Sequence, residues 1–144
     1  AREIAAHLAY EWNFTDLPVG EFLDRRLAPE CFAELAPECG LYADAPNAKQ
    51  EQYIRRLVAG VADHAAKMDD YIARYAQGWR FERIPLMASA VMRVAMYEIL
   101  YMPDIPHGVA ISEAVQIAGK YESAEVVKFI NGILASFLRE EVKD

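Results

Sequence analysis

Residues 125–138 carry an apolar stripe with helical spacing, and the dipeptide Asn131-Gly132 lies within it. Asn-Gly between apolar runs usually signals a β-hairpin turn. On a helical wheel at about 100° per residue, however, seven apolar side chains fall within one half of the wheel: Val126, Val127, Ile130, Ile133, Leu134, Phe137 and Leu138. A hairpin would interrupt that stripe, so the sequence predicts a helix, in which Gly132 costs about 1 kcal/mol relative to alanine.

The same periodicity recurs along most of the chain. It predicts helices over 2–14, about 20–28, 48–76, 84–101, 109–121 and 124–140. Gly60 and residues 63–64 are points where the longest helix could kink or divide, and Gly78 is placed near its C-terminal cap in 77–79. Residues 36–47, rich in proline and glycine, are predicted to be a loop.

Only residues 108–112 have the character of a strand, and an isolated strand has no pairing partner. The predicted fold is therefore all-α, with about seven helices. A break at 77–84 predicts two packed helical subdomains, about 1–78 and 79–144, within a single domain.

Composition limits the class of protein. The chain has 144 residues, 54% of them apolar, and only 7 glycines, which is typical of an ordered globular domain. No apolar run approaches the roughly 20 residues of a membrane span, and no signal peptide is visible. We therefore expect a cytoplasmic protein without membrane contact, in which Cys31 and Cys39 are reduced thiols.

Charge and motifs argue against several functions. The formal net charge of −7 opposes non-specific, charge-driven binding to nucleic acid, although it leaves room for a local site. The sequence contains no GxxxxGK[ST] or GxSxG motif and no histidine pair at metal-ligand spacing. We expect no catalytic residue, no metal site and no cofactor. The acidic pairs 69–70 and 140–141 are predicted to be solvated.

Two helices carry features that suit single-stranded RNA. Phe129 lies at the edge of the apolar stripe, close to Gly132 and Lys128, and an aromatic ring beside a cation can stack on a base. The alternative is a phenylalanine at the edge of the core. In the first helix, the aromatic series His7, Tyr10 and Phe14 lies away from the apolar stripe and near Arg2; the alternative there is a helix buried on two sides.

Five segments resemble the bacterial transcription antitermination family NusB, in the same order and spacing. They are "AREIAAHLAYEW" (1–12), "LVAGV" (57–61), "AVMRVAMYEILY" (90–101), "DIPHGVAISEAVQIAGKY" (104–121) and "KFINGIL" (128–134). The resemblance implies an all-α fold and no catalysis. It implies binding of boxA, a short single-stranded RNA element of ribosomal RNA operons, together with the ribosomal protein NusE. Other Nus factors and RNA polymerase are the further implied partners.

The resemblance also implies roles for individual residues. Arg2 and Tyr10 match positions near the RNA site of the family, and Glu125, Lys128 and Phe129 match RNA-binding positions of its last helix. His7 joins this set as part of the aromatic face of the first helix.

A second group of residues is predicted to be structural. Asn131 would bond the backbone of a neighbouring loop, and Gly132 would admit a closely packed helix or loop. Arg93, Glu98 and Glu113 match family positions on largely apolar helices, where a buried or half-buried ion pair is expected.

Two other functions remain open from the sequence. The acidic balance favours a helical protein-interaction module with weak or lost RNA binding. Some ribosomal RNA methyltransferases carry a similar RNA-binding domain. A homodimer is also possible, in which apolar helices hide a self-association face over the RNA site.

Overall fold

The structure, a computed structural model, describes residues 1–76, 78, 80 and 83–142. These residues form eight α-helices and one short 3₁₀ helix, Gly40–Tyr42. The α-helices are α1 Arg2–Trp12, α2 Val19–Arg26, α3 Pro29–Leu35, α4 Ala48–Asp63, α5 Ala65–Tyr75, α6 Leu86–Tyr101, α7 His107–Tyr121 and α8 Ala124–Glu141. No strand occurs in this described part of the chain, so the all-α prediction is confirmed.

Local sequence explains where the long predicted helix begins and divides. Asn47 caps α4 by accepting a hydrogen bond from the Gln50 amide at 2.8 Å, and the Gln50 side chain accepts from the Asn47 amide in return. His64, with φ −114° and ψ 17°, separates α4 from α5, close to the predicted division. Gly78 has a φ of +83°, which suits glycine, while residues 77 and 79 of the predicted helix end lie outside the described residues.

Other boundaries differ from those predicted. Helix α3 was missed, although Pro29 in its first turn is a recognised start signal. Helix α1 ends at Trp12 rather than residue 14, and α7 begins at His107, directly after Pro106. Residues 108–112 therefore lie within a helix. Cys31 and Cys39 are free thiols, as expected.

Helix α6 forms the centre of the molecule. Residues 88–99 are all buried, and α6 packs against α1, α4, α5, α7 and α8. A helix surrounded in this way is mostly apolar on every side, with Ser89, Arg93 and Glu98 as its buried polar residues, which explains why its sequence shows little amphipathic pattern. The core is one continuous cluster with members from both predicted halves, and the subdomain division stays a prediction. No described helix is both long and apolar enough to cross a membrane.

The glycine at a close helix contact is Gly60, whereas the sequence predicted Gly132. A Cβ atom on Gly60 of α4 would lie 2.2 Å from the ring carbon Cζ of Tyr97 on α6, so these two helices approach through the missing side chain. A Cβ on Gly132 would meet nothing within 4 Å, and Gly132 is exposed. The packing role predicted for Gly132 is therefore wrong. Asn131 is also exposed, and none of the hydrogen bonds found in the described residues joins it to a loop.

Candidate nucleic-acid interface

Arg2 at the start of α1 is held by a buried carboxylate. Its Nε and Nη2 donate to the two carboxylate oxygens of Glu98 at 2.8 and 3.1 Å, and Glu98 is fully buried on α6. Tyr53 of α4 donates to the same carboxylate at 2.7 Å, and Glu113 of α7 lies 3.9 Å from Arg2 Nη1. Burial alone would lower the pKa of Arg2, but the hydrogen bonds to Glu98 outweigh it and raise that pKa. Arg2 therefore joins three helices, rather than extending freely toward a phosphate.

Arg93 of α6 forms a second internal ion pair. Its Nε and Nη2 donate to the carboxylate of Asp69 at 2.7 and 2.9 Å, and its Nη1 donates to Asn13 Oδ1 at 3.3 Å. Arg93 is only 8% exposed, so an acidic partner is needed to offset its desolvation. The prediction that Asp69 is merely solvated is wrong, because the sequence does not reveal which arginine folds against it.

His7 is placed between two tyrosines. Tyr121 at the end of α7 donates to Glu3 at 2.7 Å, so its oxygen accepts from His7 Nε2, 2.5 Å away. Nδ1 of His7 then accepts from the hydroxyl of Tyr42 at 3.4 Å. The tautomer is assigned from these partners. Both ring nitrogens of this predicted RNA contact are thus used within the protein.

Burial and hydrogen bonding shift the pKa values of His7 and its neighbours Tyr42 and Glu3. Desolvation lowers the pKa of His7 and raises the pKa of Tyr42 to about 12. Burial would raise the pKa of Glu3, but hydrogen bonds from Lys120 and Tyr121 outweigh it and lower that pKa. Near neutral pH the cluster is therefore a neutral imidazole between neutral phenols, beside an ionised carboxylate.

Tyr10 is the remaining predicted contact on α1. It is half-buried against the core, and its ring packs edge-to-face on Phe14 with centroids 5.1 Å apart. Phe14 is 63% exposed, which makes it the most exposed large apolar side chain among the described residues. Phe14 is thus the most accessible residue of the predicted aromatic face, whereas His7 and Tyr10 are only partly exposed.

Helix α8 carries the other predicted RNA-binding residues, Glu125, Lys128 and Phe129. Ser123 caps its first turn by accepting from the Val126 amide at 3.3 Å. Phe129 is half-buried and packs against the core edge. The exposed side of the same helix contains Glu125, Lys128, Asn131 and Gly132.

Phe129 lines a wide cleft between α5 and α8, with a volume of about 650 Å³. The residues lining this α5–α8 cleft are Arg74, Tyr75, Phe129, Gly132, Ile133, Ser136, Arg139 and Glu140. Arg74 also lies over the ring of Tyr71, 5.4 Å from its centroid, and donates to Glu141. Glu141 is therefore paired, contrary to the prediction of a solvated acidic pair. The cleft combines aromatic rings with arginines.

Lys128 lies on the other side of α8, beside a groove of about 580 Å³. This α7–α8 groove is lined by Val115, Gly119, Glu122, Ala124, Val127, Lys128 and Asn131. Its lining is mostly apolar, and the exposed side chains of Lys128 and Asn131 lie along its rim. Lys128 and Phe129 are therefore adjacent in sequence but serve two different concave surfaces.

The cleft residues Arg74, Tyr75 and Arg139 were missed by sequence reasoning. Arg139 had a usable signal, because residues 125, 132, 136 and 139 share one helical stripe beside Phe129. For Arg74 and Tyr75 the sequence offered no signal, since nothing in it shows that α5 packs beside α8. No group of side chains that could hold a metal ion occurs among the residues the structure describes.

Comparison with known proteins gives a consistent result. The sequence model of the NusB family matches residues 1–139. The transcription antitermination protein NusB of Symbiobacterium thermophilum is 34% identical over 139 residues, covering 96% of this chain and 87% of that protein. NusB of Caldicellulosiruptor saccharolyticus is 34% identical over 137 residues, covering 94% and 95% respectively. The solved structure of T. maritima NusB has a TM-score of 0.69 and 27% identity, covering 99% of this chain and 94% of that one.

Proposed function

The chain belongs to the NusB family, and from that membership we propose that it is an RNA-binding transcription antitermination factor rather than an enzyme. In this proposal it binds boxA RNA of ribosomal RNA operons together with NusE. The complex then joins other Nus factors on RNA polymerase in the cytoplasm and supports processive elongation. The names of the curated relatives support the antitermination role, and the resemblance of the sequence motifs supports the choice of RNA and partner.

The observation that carries RNA binding is the α5–α8 cleft. Every base offers a face to an aromatic ring, so Phe129 and Tyr75 suit stacking without strict sequence preference. Arg74 and Arg139 at the same cleft bond Glu141 and Glu140 respectively, but both arginines are largely exposed and so suit phosphate contacts. A cleft with these four side chains fits a single strand better than a duplex, whose bases are already stacked.

Two exposed residues of α8 extend this assignment. Lys128 is exposed and can neutralise a phosphate. Glu125, one turn earlier, can accept a hydrogen bond from an exocyclic amino group and so distinguish among bases.

Tyr10 of α1 is proposed as an accessory stacking residue. Arg2 and His7 are proposed to orient α1, because Glu98 and Tyr121 already occupy their polar atoms.

The negative net charge of the chain predicts that NusE increases its affinity for RNA. A chain with net charge −7 repels RNA at long range, so binding by the protein alone is expected to be weak. NusE bound beside the cleft would add contacts to the same strand and increase affinity. RNA binding that tightens with NusE distinguishes this function from a module that binds protein only.

The test is a titration of labelled boxA RNA with the protein, alone and with NusE, at two salt concentrations. Phe129→Leu keeps apolar bulk but removes the ring, and is expected to lower affinity about tenfold. Lys128→Ala is expected to reduce the salt dependence of log K by about 0.7. Lys49→Ala, an exposed lysine on α4, is the matched control and should change affinity little.

The possible results separate the functions. Binding that tightens with NusE and weakens in both α8 variants supports the proposal. Absence of RNA binding with and without NusE, while NusE itself still binds, would establish the protein-interaction alternative. Equal losses in Lys128→Ala and Lys49→Ala would contradict the assignment to α8.

A further inference from the structure

Gly132 is a glycine without a structural role in the described protein. It lies in the middle of α8, which runs without a break from Ala124 to Glu141, so it neither ends nor divides the helix. It is exposed, and a Cβ atom there would meet nothing within 4 Å. Gly60 shows what a packing glycine looks like in this fold, because the ring of Tyr97 occupies the space of its missing side chain.

The position of Gly132 relative to the two concave surfaces suggests another use. Viewed down α8, Gly132 falls between Lys128 on one side and Phe129 on the other. Phe129 and Gly132 line the α5–α8 cleft, whereas Lys128 and Asn131 line the α7–α8 groove. Gly132 is therefore the lowest point of the helical ridge that separates the two surfaces.

We propose that single-stranded RNA crosses α8 at Gly132 and places a further base in the α7–α8 groove. This inference rests on the proposed RNA-binding function and extends it to a second surface. The missing side chain lets the sugar-phosphate backbone approach the helix closely, as glycines do where a backbone meets a ligand. Residues of the cleft hold the strand on one side of the crossing, and residues of the groove hold it on the other.

The groove has the chemistry of a base site. Val115 and Val127 supply apolar surface, and Gly119 leaves its wall open because a Cβ there would meet nothing within 4 Å. Asn131 at the rim has an amide that can both donate and accept, which suits the edge of a base. Lys128 at the same rim suits the phosphate of the crossing nucleotide.

The charges of the lining residues suit an anionic strand better than a basic peptide. The described residues that line the two surfaces include three cations, Arg74, Arg139 and Lys128, and two carboxylates, Glu122 and Glu140. The whole chain has the opposite balance, with 15 lysines and arginines against 22 acidic residues. The path across α8 is thus more cationic than the chain as a whole.

The experiment compares Gly132→Ala with Gly20→Ala, a control at another exposed helical glycine where an added Cβ atom would also meet nothing within 4 Å. Each variant, with NusE present, is titrated with boxA RNA and with a truncated RNA long enough to reach only the α5–α8 cleft. Thermal unfolding is measured in parallel. Asn131→Ala serves as a second probe of the groove.

Gly132→Ala should raise Tm by about 3 °C, because alanine favours the helix and meets no obstacle. It should nevertheless lower affinity for full boxA RNA about tenfold, because its methyl group holds the strand off the ridge. Affinity for the truncated RNA should stay unchanged. Asn131→Ala should weaken only the longer RNA, by several-fold, and Gly20→Ala should affect neither.

Two different failures can be told apart. If Gly132→Ala is more stable and binds the full RNA as tightly as the unaltered protein does, the crossing is wrong and the proposed function stands. The crossing is also wrong if both RNAs weaken equally. If the unaltered protein binds no RNA even with NusE, the proposed function and this inference fail together.

Discussion

Helices α1 and α8 carry similar polar and aromatic residues but use them in opposite ways. On α1, Arg2 is bound to a fully buried carboxylate and His7 is bonded to two tyrosines. On α8, Lys128 is exposed, and Phe129 borders an open cleft. The sequence placed all four in one RNA-binding set.

Position in the bundle accounts for the difference. Helix α1 packs against α2, α4 and α6, and the end of α7 reaches its polar side through Tyr121 and Lys120. Helix α8 lies at the margin, against α5, α6 and α7, with a full side open to solvent. A charged side chain suited to RNA is thus available for it only where the fold leaves it exposed, as at Lys128.

The largest effect is expected from removing the ion pair between Arg2 of α1 and Glu98 of α6. Arg2→Ala leaves Glu98 buried with the hydroxyl of Tyr53 as its one side-chain hydrogen-bond partner among the described residues, and should lower the free energy of unfolding by about 3 kcal/mol. Urea denaturation measures this loss. The double variant Arg2→Met/Glu98→Leu should recover part of it, because no buried charge remains unpaired. If Arg2→Ala is as stable as the unaltered protein but has lost RNA binding, Arg2 is an RNA contact and the contrast between α1 and α8 is wrong.

A smaller effect is expected at the junction of α1 and α7. Tyr121→Phe removes the donor to Glu3 and the acceptor for His7, while the ring stays in place. Tyr121 is 42% exposed, so water can replace part of what is lost, and the free energy of unfolding should fall by about 1 kcal/mol. Its affinity for RNA should not change. Tyr101→Phe provides a control, because its hydroxyl bonds only the exposed Lys67 among the described residues.

The smallest effect is a pH dependence from His7. Its pKa in the folded protein lies below the value of about 6.5 expected in the unfolded chain. The unfolded state therefore takes up the proton first, and stability should decline as pH falls through about 6.5. Charged groups near His7 are Glu3, Glu11 and Arg26; the pKa of Glu3 is lowered, so its contribution is lost only at more acidic pH.

The check is urea unfolding of the protein and of His7→Gln at pH 7.5 and pH 5.5. The decline should be smaller in His7→Gln. An identical decline in the two proteins would mean that folding does not lower the pKa of His7.

Much of the fold followed from short-range pattern. The apolar stripe correctly predicted that α8 runs through Asn131-Gly132, and apolar spacing predicted most other helices. Long-range pairings did not follow, because no local signal connects Arg2 with Glu98 or Arg93 with Asp69. Gly132 was misassigned for the same reason: a sequence shows a glycine but not what lies next to it.

The most direct test is to follow backbone amide signals by NMR while boxA RNA and unlabelled NusE are added to isotope-labelled protein. Signals that change with RNA beyond the change caused by NusE alone define the RNA surface. The assignment of RNA binding to α8 predicts such changes along residues 125–136 and at Arg74 and Tyr75, with little change at residues 2–8. RNA-dependent changes at residues 2–8 with none in α8 would contradict it.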